Sequence, residues 1–201
     1  MEDKTNNFSS LVKKRVVVRE FKSPRTGKFD SDIIEIANNA VKIPTAGFSR
    51  GIEILTILNT SNIKKISVIA NEKRYMDEGK DPWISWSEGV IIILINKISY
   101  IERYSKEDKN ISLNPEKWHI PYWYIDAGAA LMNILLGSED KRLGSGFLGG
   151  HNLNLDILKK EFNIPKNIEI LGLVPIGVRK DKYKKNTAKK RKLIHNEIYR
   201  K

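Results

Sequence analysis

The sequence contains no cysteine in its 201 residues. Disulfides, thiol nucleophiles and thiolate metal sites are therefore excluded, and the usage fits an intracellular protein. Histidine is scarce as well. His119, His151 and His195 stand far apart, in no HxxxH or HxH pattern, so no metal site is expected. Neither GxSxG nor GxxxxGK[ST] occurs, which removes the nucleophile elbow and the P-loop. The opening MEDKTNNFSSLVKK holds no apolar stretch of signal-peptide length, so the expectation is no export and a cytoplasmic location. No apolar run approaches the roughly 20 residues that a bilayer crossing requires, so no membrane association is expected. No internal repeat is present.

What remains is a globular composition, 40% hydrophobic and 30% charged, long enough to bury a substantial core as a single domain over residues 1–201. The net charge is +12 and is unevenly spread. Residues 178–201 form a basic C-terminal extension, with eleven Lys or Arg against Asp181 and Glu197. Such a block is a solvated face, a polyanion-binding surface or a set of cations for a cofactor phosphate.

Helices and strands alternate irregularly, which predicts an α+β domain. Phe8 to Lys14 reads as a short helix leading into KKRVVVREF, where Arg15 and Arg19 flank three valines that favour a strand or irregular turn. Asp30 is a candidate N-cap for a helix over about residues 31–42, with Ile33, Ile36, Ala37, Ala40 and Val41 at helical spacing. The small, turn-rich PTAGFSRG leads into a strand over residues 52–58. Residues 63–86 read as helix and loop, with Trp83 and Trp86 buried or at an interface. GVIIILI, ending at Ile95, is a strand buried on both faces. Tyr100, Arg103 and Tyr104 share a helical turn within residues 99–109. Asn154 is a candidate cap for a helix to Phe162, and residues 168–178 form a last long strand.

The centre of the chain is IPYWYIDAGAALMNILLGSEDKRLGSGFLGG, residues 120–150. Its first half is a helix apolar on almost every side, which is the pattern of a buried helix. Ala127, Gly128, Ala129 and Ala130 would let another backbone approach closely, from the same chain or from a partner. The glycines that follow are an ordinary connection or a ligand-binding loop with accessible main chain. Gly144 and Gly146 come after a helix instead of leading from a strand into one, so they are not a dinucleotide fingerprint.

Taken in order, these features resemble the FMN-dependent nitroreductase family, in a less characterised branch. The family's opening arginine, three residues, then a base and an aromatic is similar to Arg15, Arg19 and Phe21. Its Pro-Ser-Ser turn is similar to Pro44, Thr45 and Ala46. Its aromatic–Asp-x-Gly-Ala helix and glycine loop resemble residues 122–130 and 143–150. Its Leu-Gly-x-x-Pro-Ile-Gly strand resembles residues 171–177, and its Lys-x-Arg resembles Lys189 and Arg191. The likeness runs from about Leu11 to Arg191.

The resemblance implies a central β-sheet flanked by helices, an intertwined homodimer, and FMN at the subunit interface. Activity would be NAD(P)H-dependent: hydride passes through flavin N5 to a small organic acceptor such as a nitro compound or quinone, in a ping-pong cycle that needs no protein acid or base. Cofactor contacts implied are Arg15, Val16, Val17, Arg19, Pro44, Thr45, Ala46, Gly47, Leu148, Gly149, Gly150, Lys189 and Arg191, the Pro44 turn coming from the partner subunit. Phe48, Arg50, Tyr122 and Trp123 are candidate walls of the acceptor pocket. The chain departs from the pattern at Val17, Phe48, Arg50, Gly51, Ile52 and Gly149, next to where flavin and substrate would lie. Rival expectations are a flavin-fold protein with other chemistry (flavin breakdown, dehalogenation or flavin storage) and a basic nucleic-acid binder. Against the latter, the aromatics do not interleave with the basic run as base-stacking platforms would.

Overall fold

Seven consecutive residues without a polar side chain, GVIIILI, can form a strand only where both of its faces are covered. The computed structural model describes residues 7–22, 25–109, 114 and 118–180, and in it this segment is strand β2 (Gly89–Ile95), buried at every position. It lies between β1 (Ile52–Ile57) and β5 (Glu169–Gly177), antiparallel to both, with Ile52 opposite Ile95 and Gly89 opposite Ile176. A bulge between Ile93 and Leu94 shifts the β2–β5 register. Two short strands, β3 (Gly144–Ser145) and β4 (Leu148–Gly149), pair with the other side of β5, giving the order β1-β2-β5-β3 with β4 also on β5.

Strand periodicity divides β2 between two cores. Ile91, Ile93 and Ile95 pack in one cluster with Ile33, Ile36, Ala37 and Ala40 of helix α2 (Asp30–Ala40) and Ala127, Ala130 and Ile134 of helix α6 (Tyr122–Asp140). Val90, Ile92 and Leu94 face the second cluster, which takes Ile63 and Ile66 from α3 (Thr60–Ile69), Leu158 from α7 (Leu155–Glu161), and the Trp83–Ile84 loop. Fully burying one such aliphatic chain contributes roughly 1.5–3 kcal/mol. The result is an α+β fold, an antiparallel sheet flanked by helices on both faces. The other helices are α1 (Phe8–Lys14), α4 (Glu72–Asp77) and α5 (Lys97–Tyr104).

Local details differ from expectation for identifiable reasons. Asp30 does not cap α2: Phe29 holds that place without a side-chain bond, and the Asp30 carboxylate accepts from Arg25 Nη2 at 2.7 Å instead. Val41 lies just past the end of the helix and is exposed. Residues 63–86 resolve into two helices because Asn71, at φ 51°, turns left-handed between them. The long helix α6 is buried on one face only, through Trp123, Asp126, Ala127, Ala130, Ile134 and Ser138. Ile125 (57% exposed), Gly128 and Met132 lie bare on the other, and nothing comes within 4 Å of a Cβ placed on Gly128.

Candidate functional site

Burial along the N-terminal segment alternates as in a strand. Val18 is buried, whereas Val17 and Arg19 on either side of it are exposed. The segment is held by a parallel bridge from Val17 to Ser145, by Val18 N–H donating to Ser145 O at 2.9 Å, and by Lys22 N–H donating to Val178 O at 2.8 Å. Val17 and Arg19 thus flank Val18 beside the glycine loop, and Arg15 precedes them as the C-cap of α1. That loop packs tightly. A Cβ on Gly146 would stand 2.7 Å from Val18 O, and one on Gly150 2.8 Å from Ile170 O. A Cβ on Gly172 would meet Leu148 O and the Phe147 ring, so this glycine lets β4 close onto β5. His151 rests its imidazole against Gly149.

Arg19 and Leu148 open onto a cavity of about 360 Å³ whose other walls include Asn71, Arg74, Tyr75 and Trp83, with the acidic Glu72 and Glu78 also in the lining. The Arg19 guanidinium lies 5.6 Å from the Trp83 ring centroid, and Tyr75 meets Trp83 at 6.5 Å. Trp83 is held from below by the buried Glu72, whose carboxylate accepts from the N–H of Trp83 (2.8 Å), Ile84 and Ser85 (3.2 Å). Burial pushes the Tyr75 phenol up, outweighing Lys80 and Arg19. Asn71, Arg74, Tyr75 and Trp83 carry no sequence motif that marks them for this site; only tertiary contact brings them to Arg19.

The Pro44–Arg50 turn lies elsewhere. It precedes β1, the edge strand on the opposite side of the sheet from β3, with β2 and β5 between them. Gly47 (φ 61°), Phe48 (φ 61°) and Arg50 (φ 51°) are all left-handed, a conformation that costs a bulky residue about 1–3 kcal/mol. The turn is pinned by Asp126 Oδ2, which accepts from Ala46 N–H at 2.9 Å and from the Tyr100 hydroxyl at 2.8 Å. Arg103 Nε donates to Gly47 O at 2.6 Å, and Arg50 N–H to Thr45 Oγ1 at 3.1 Å. Burial, then the bond to Asp126, drives the Tyr100 phenol far above its ordinary value, so it stays a donor. Tyr122 stacks on Tyr104 at 5.6 Å, and Trp123 joins Trp118 at 5.4 Å, almost closed from solvent at 4% exposure. Lys189 and Arg191 lie outside the described residues.

Within one chain, then, Arg15, Val16, Val17, Arg19, Leu148, Gly149 and Gly150 gather at one edge, and Pro44, Thr45, Ala46, Gly47, Phe48 and Arg50 at the other. The arginines also divide by charge compensation. Arg25, Arg103 and Arg179 are paired with Asp30, Asp108 and Glu139. Arg15, Arg19, Arg50, Arg74 and Arg142 make no ion pair among the described residues. Unpaired guanidinium groups beside an aromatic-walled cavity are suited to a planar, negatively charged ligand. No helix among the described residues is long and apolar enough to cross a membrane, and no group of three or more His, Asp or Glu among them could hold a metal ion.

The sequence profile described as "Nitroreductase family" matches residues 12–178. The chain belongs to the nitroreductase family. Solved structures agree at the level of the fold. One is a nitroreductase-like protein from Streptococcus mutans (15% identity, 92% of this chain and 94% of that one, TM-score 0.72). Another is NfrA1 from B. megaterium (16% identity, 96% and 74%, TM-score 0.73). A third, from Parabacteroides distasonis ATCC 8503, is provisionally named an NADH dehydrogenase/NAD(P)H nitroreductase (18% identity, 95% and 98%, TM-score 0.69). No curated protein matches the sequence. Membership of this nitroreductase family supports an oxidoreductase in general.

Proposed function

We infer that the protein is an FMN-dependent oxidoreductase that draws electrons from NAD(P)H and delivers them to a small organic acceptor such as a nitro compound or quinone. The observation that carries this reading is the cavity edged by Arg19, Asn71 and Arg74 and walled by Trp83, in a chain of the nitroreductase family. Its donor set fits a flavin. Arg19, Arg74 and the Asn71 amide would donate to the carbonyl-rich pyrimidine edge, and Arg15 would serve the phosphate side. Lys189 and Arg191 would add cations at the phosphate. When bound, FMN supplies a two-electron carrier that one substrate reduces and the next oxidises. Arg19 would hold its charge where negative charge accumulates on reduction, in a position fixed beforehand by Trp83 and Glu72. Leu148 and Trp83 would exclude water from that edge.

The second half of the site would come from another copy. The Pro44–Ala46 turn stands at the far edge of the sheet from Arg19, so in this reading a flavin touching both would lie between two chains. The bare face of α6, with Ile125, Gly128 and Met132, and the exposed Phe8 and Val12 of the neighbouring α1, would form the dimer contact. An absorbance spectrum of the purified protein, before and after adding FMN, tests the reading. About one flavin per chain is expected. A colourless protein that also refuses added FMN would overturn it.

A further inference from the structure

The Pro44–Arg50 turn displays two side chains left open to solvent among the described residues. Phe48 is 79% exposed, and the Arg50 guanidinium lies 5.5 Å from its ring centroid. Both residues are left-handed, a conformation that glycine or asparagine adopts more readily, yet the strained backbone is fastened from below at three points. Gly51 adds a fourth constraint: a Cβ there would stand 2.7 Å from Asn96 O, so the end of the turn is pressed against the loop before α5. The anchored backbone fixes where the two side chains leave the chain, and the cation–π contact sets the guanidinium beside the ring. Arg50 has no ion-pair partner among the described residues, whereas Arg103, which merely anchors the same turn, is neutralised by Asp108.

We propose that Phe48 and Arg50 select the electron acceptor, favouring planar aromatic carboxylates over neutral aromatics of the same shape. The ring offers a stacking face and the guanidinium a two-pronged donor for a carboxylate. The positions of the two are set before the ligand arrives, so little ordering is needed on binding. This rests on the flavin reading above, in which the turn borders the cofactor of the second copy.

The test uses the full-length, FMN-loaded protein and two probes of one shape, benzoate and benzamide, followed by perturbation of the flavin absorbance band. Benzoate should bind about tenfold more tightly, the effect of one charge-assisted hydrogen-bonded contact. Arg50→Gln should bring the two affinities within about twofold, and Phe48→Leu should weaken both probes together. With 4-nitrobenzoate and 4-nitrobenzamide as acceptors, the charge preference should appear in KM and vanish in Arg50→Gln. A flavin-loaded protein with equal affinity for both probes, or an unchanged ratio in Arg50→Gln, overturns the proposal and leaves the flavin reading standing. Dissociation of the dimer in Arg50→Gln or Phe48→Leu, with the probe ratio intact, would instead assign the pair to the subunit contact and also overturn it. A protein that cannot take up FMN overturns both.

Discussion

Each edge of the sheet carries an arginine over an aromatic ring, Arg19 on Trp83 at 5.6 Å and Arg50 on Phe48 at 5.5 Å. Each is also anchored by a buried carboxylate that collects donors, Glu72 under Trp83 and Asp126 under Ala46. The resemblance ends at solvent. Trp83 is 4% exposed and Phe48 is 79% exposed. At the first edge the ring and the cation come from residues of one chain some sixty positions apart, and the ring is closed from solvent. At the second the ring and the cation belong to one strained turn, and the ring stands open to solvent. A pair of similar contacts can therefore serve opposite ends: at Trp83 the ring fixes the cation, and at Phe48 the strained backbone sets where both leave the chain.

The sharpest way to break this comparison is at the carboxylates. Glu72→Ala would strand three backbone N–H groups under Trp83, at a cost of about 3 kcal/mol, read from urea denaturation, together with weaker FMN binding. Glu72→Gln, which keeps an accepting oxygen, should lose clearly less. Next, Arg19→Ala should lower FMN affinity about ten- to a hundredfold in a flavin titration. Lys189→Ala should weaken FMN while sparing riboflavin, which lacks the phosphate; equal losses for both would place Lys189 away from it. Asp126→Asn retains shape but loses the charge-assisted bonds to Ala46 N–H and the Tyr100 hydroxyl, and about 1–2 kcal/mol of stability in thermal melts. The smallest effect has the opposite sign. Phe48→Asn relieves left-handed strain and should stabilise by up to about 1 kcal/mol, seen as a raised Tm.

The regular parts of the fold were legible where one pattern repeats. β2 announced itself by seven residues without a polar group, α2 by Ile33, Ile36, Ala37 and Ala40, and β5 by a long run ending in Pro-Ile-Gly. The bare face of α6 was not legible, because apolar residues on every side look the same whether the cover is this chain or another. At the site, Arg15 and Arg19 and the glycine loop could be singled out by order and spacing. Asn71, Arg74 and Trp83 could not, since they reach Arg19 only after α3 and α4 have folded back across the sheet. Nor does a sequence distinguish Glu72, closed from water and filled with backbone donors, from Glu78 six residues later, half exposed and paired with Lys80.

The partition of β2 between two cores bears on how the molecule comes apart. Neighbouring residues such as Ile91 and Ile92 report to opposite layers, but they share one backbone, hydrogen-bonded to β1 on one side and β5 on the other. Neither layer can loosen fully while the strand stays paired, and the strand cannot part from its neighbours while either layer holds. Amide protons between Gly89 and Ile95 should consequently exchange with deuterium only when the whole sheet opens, and more slowly than those of α1 or the Pro44 turn, whose backbones sit at the surface.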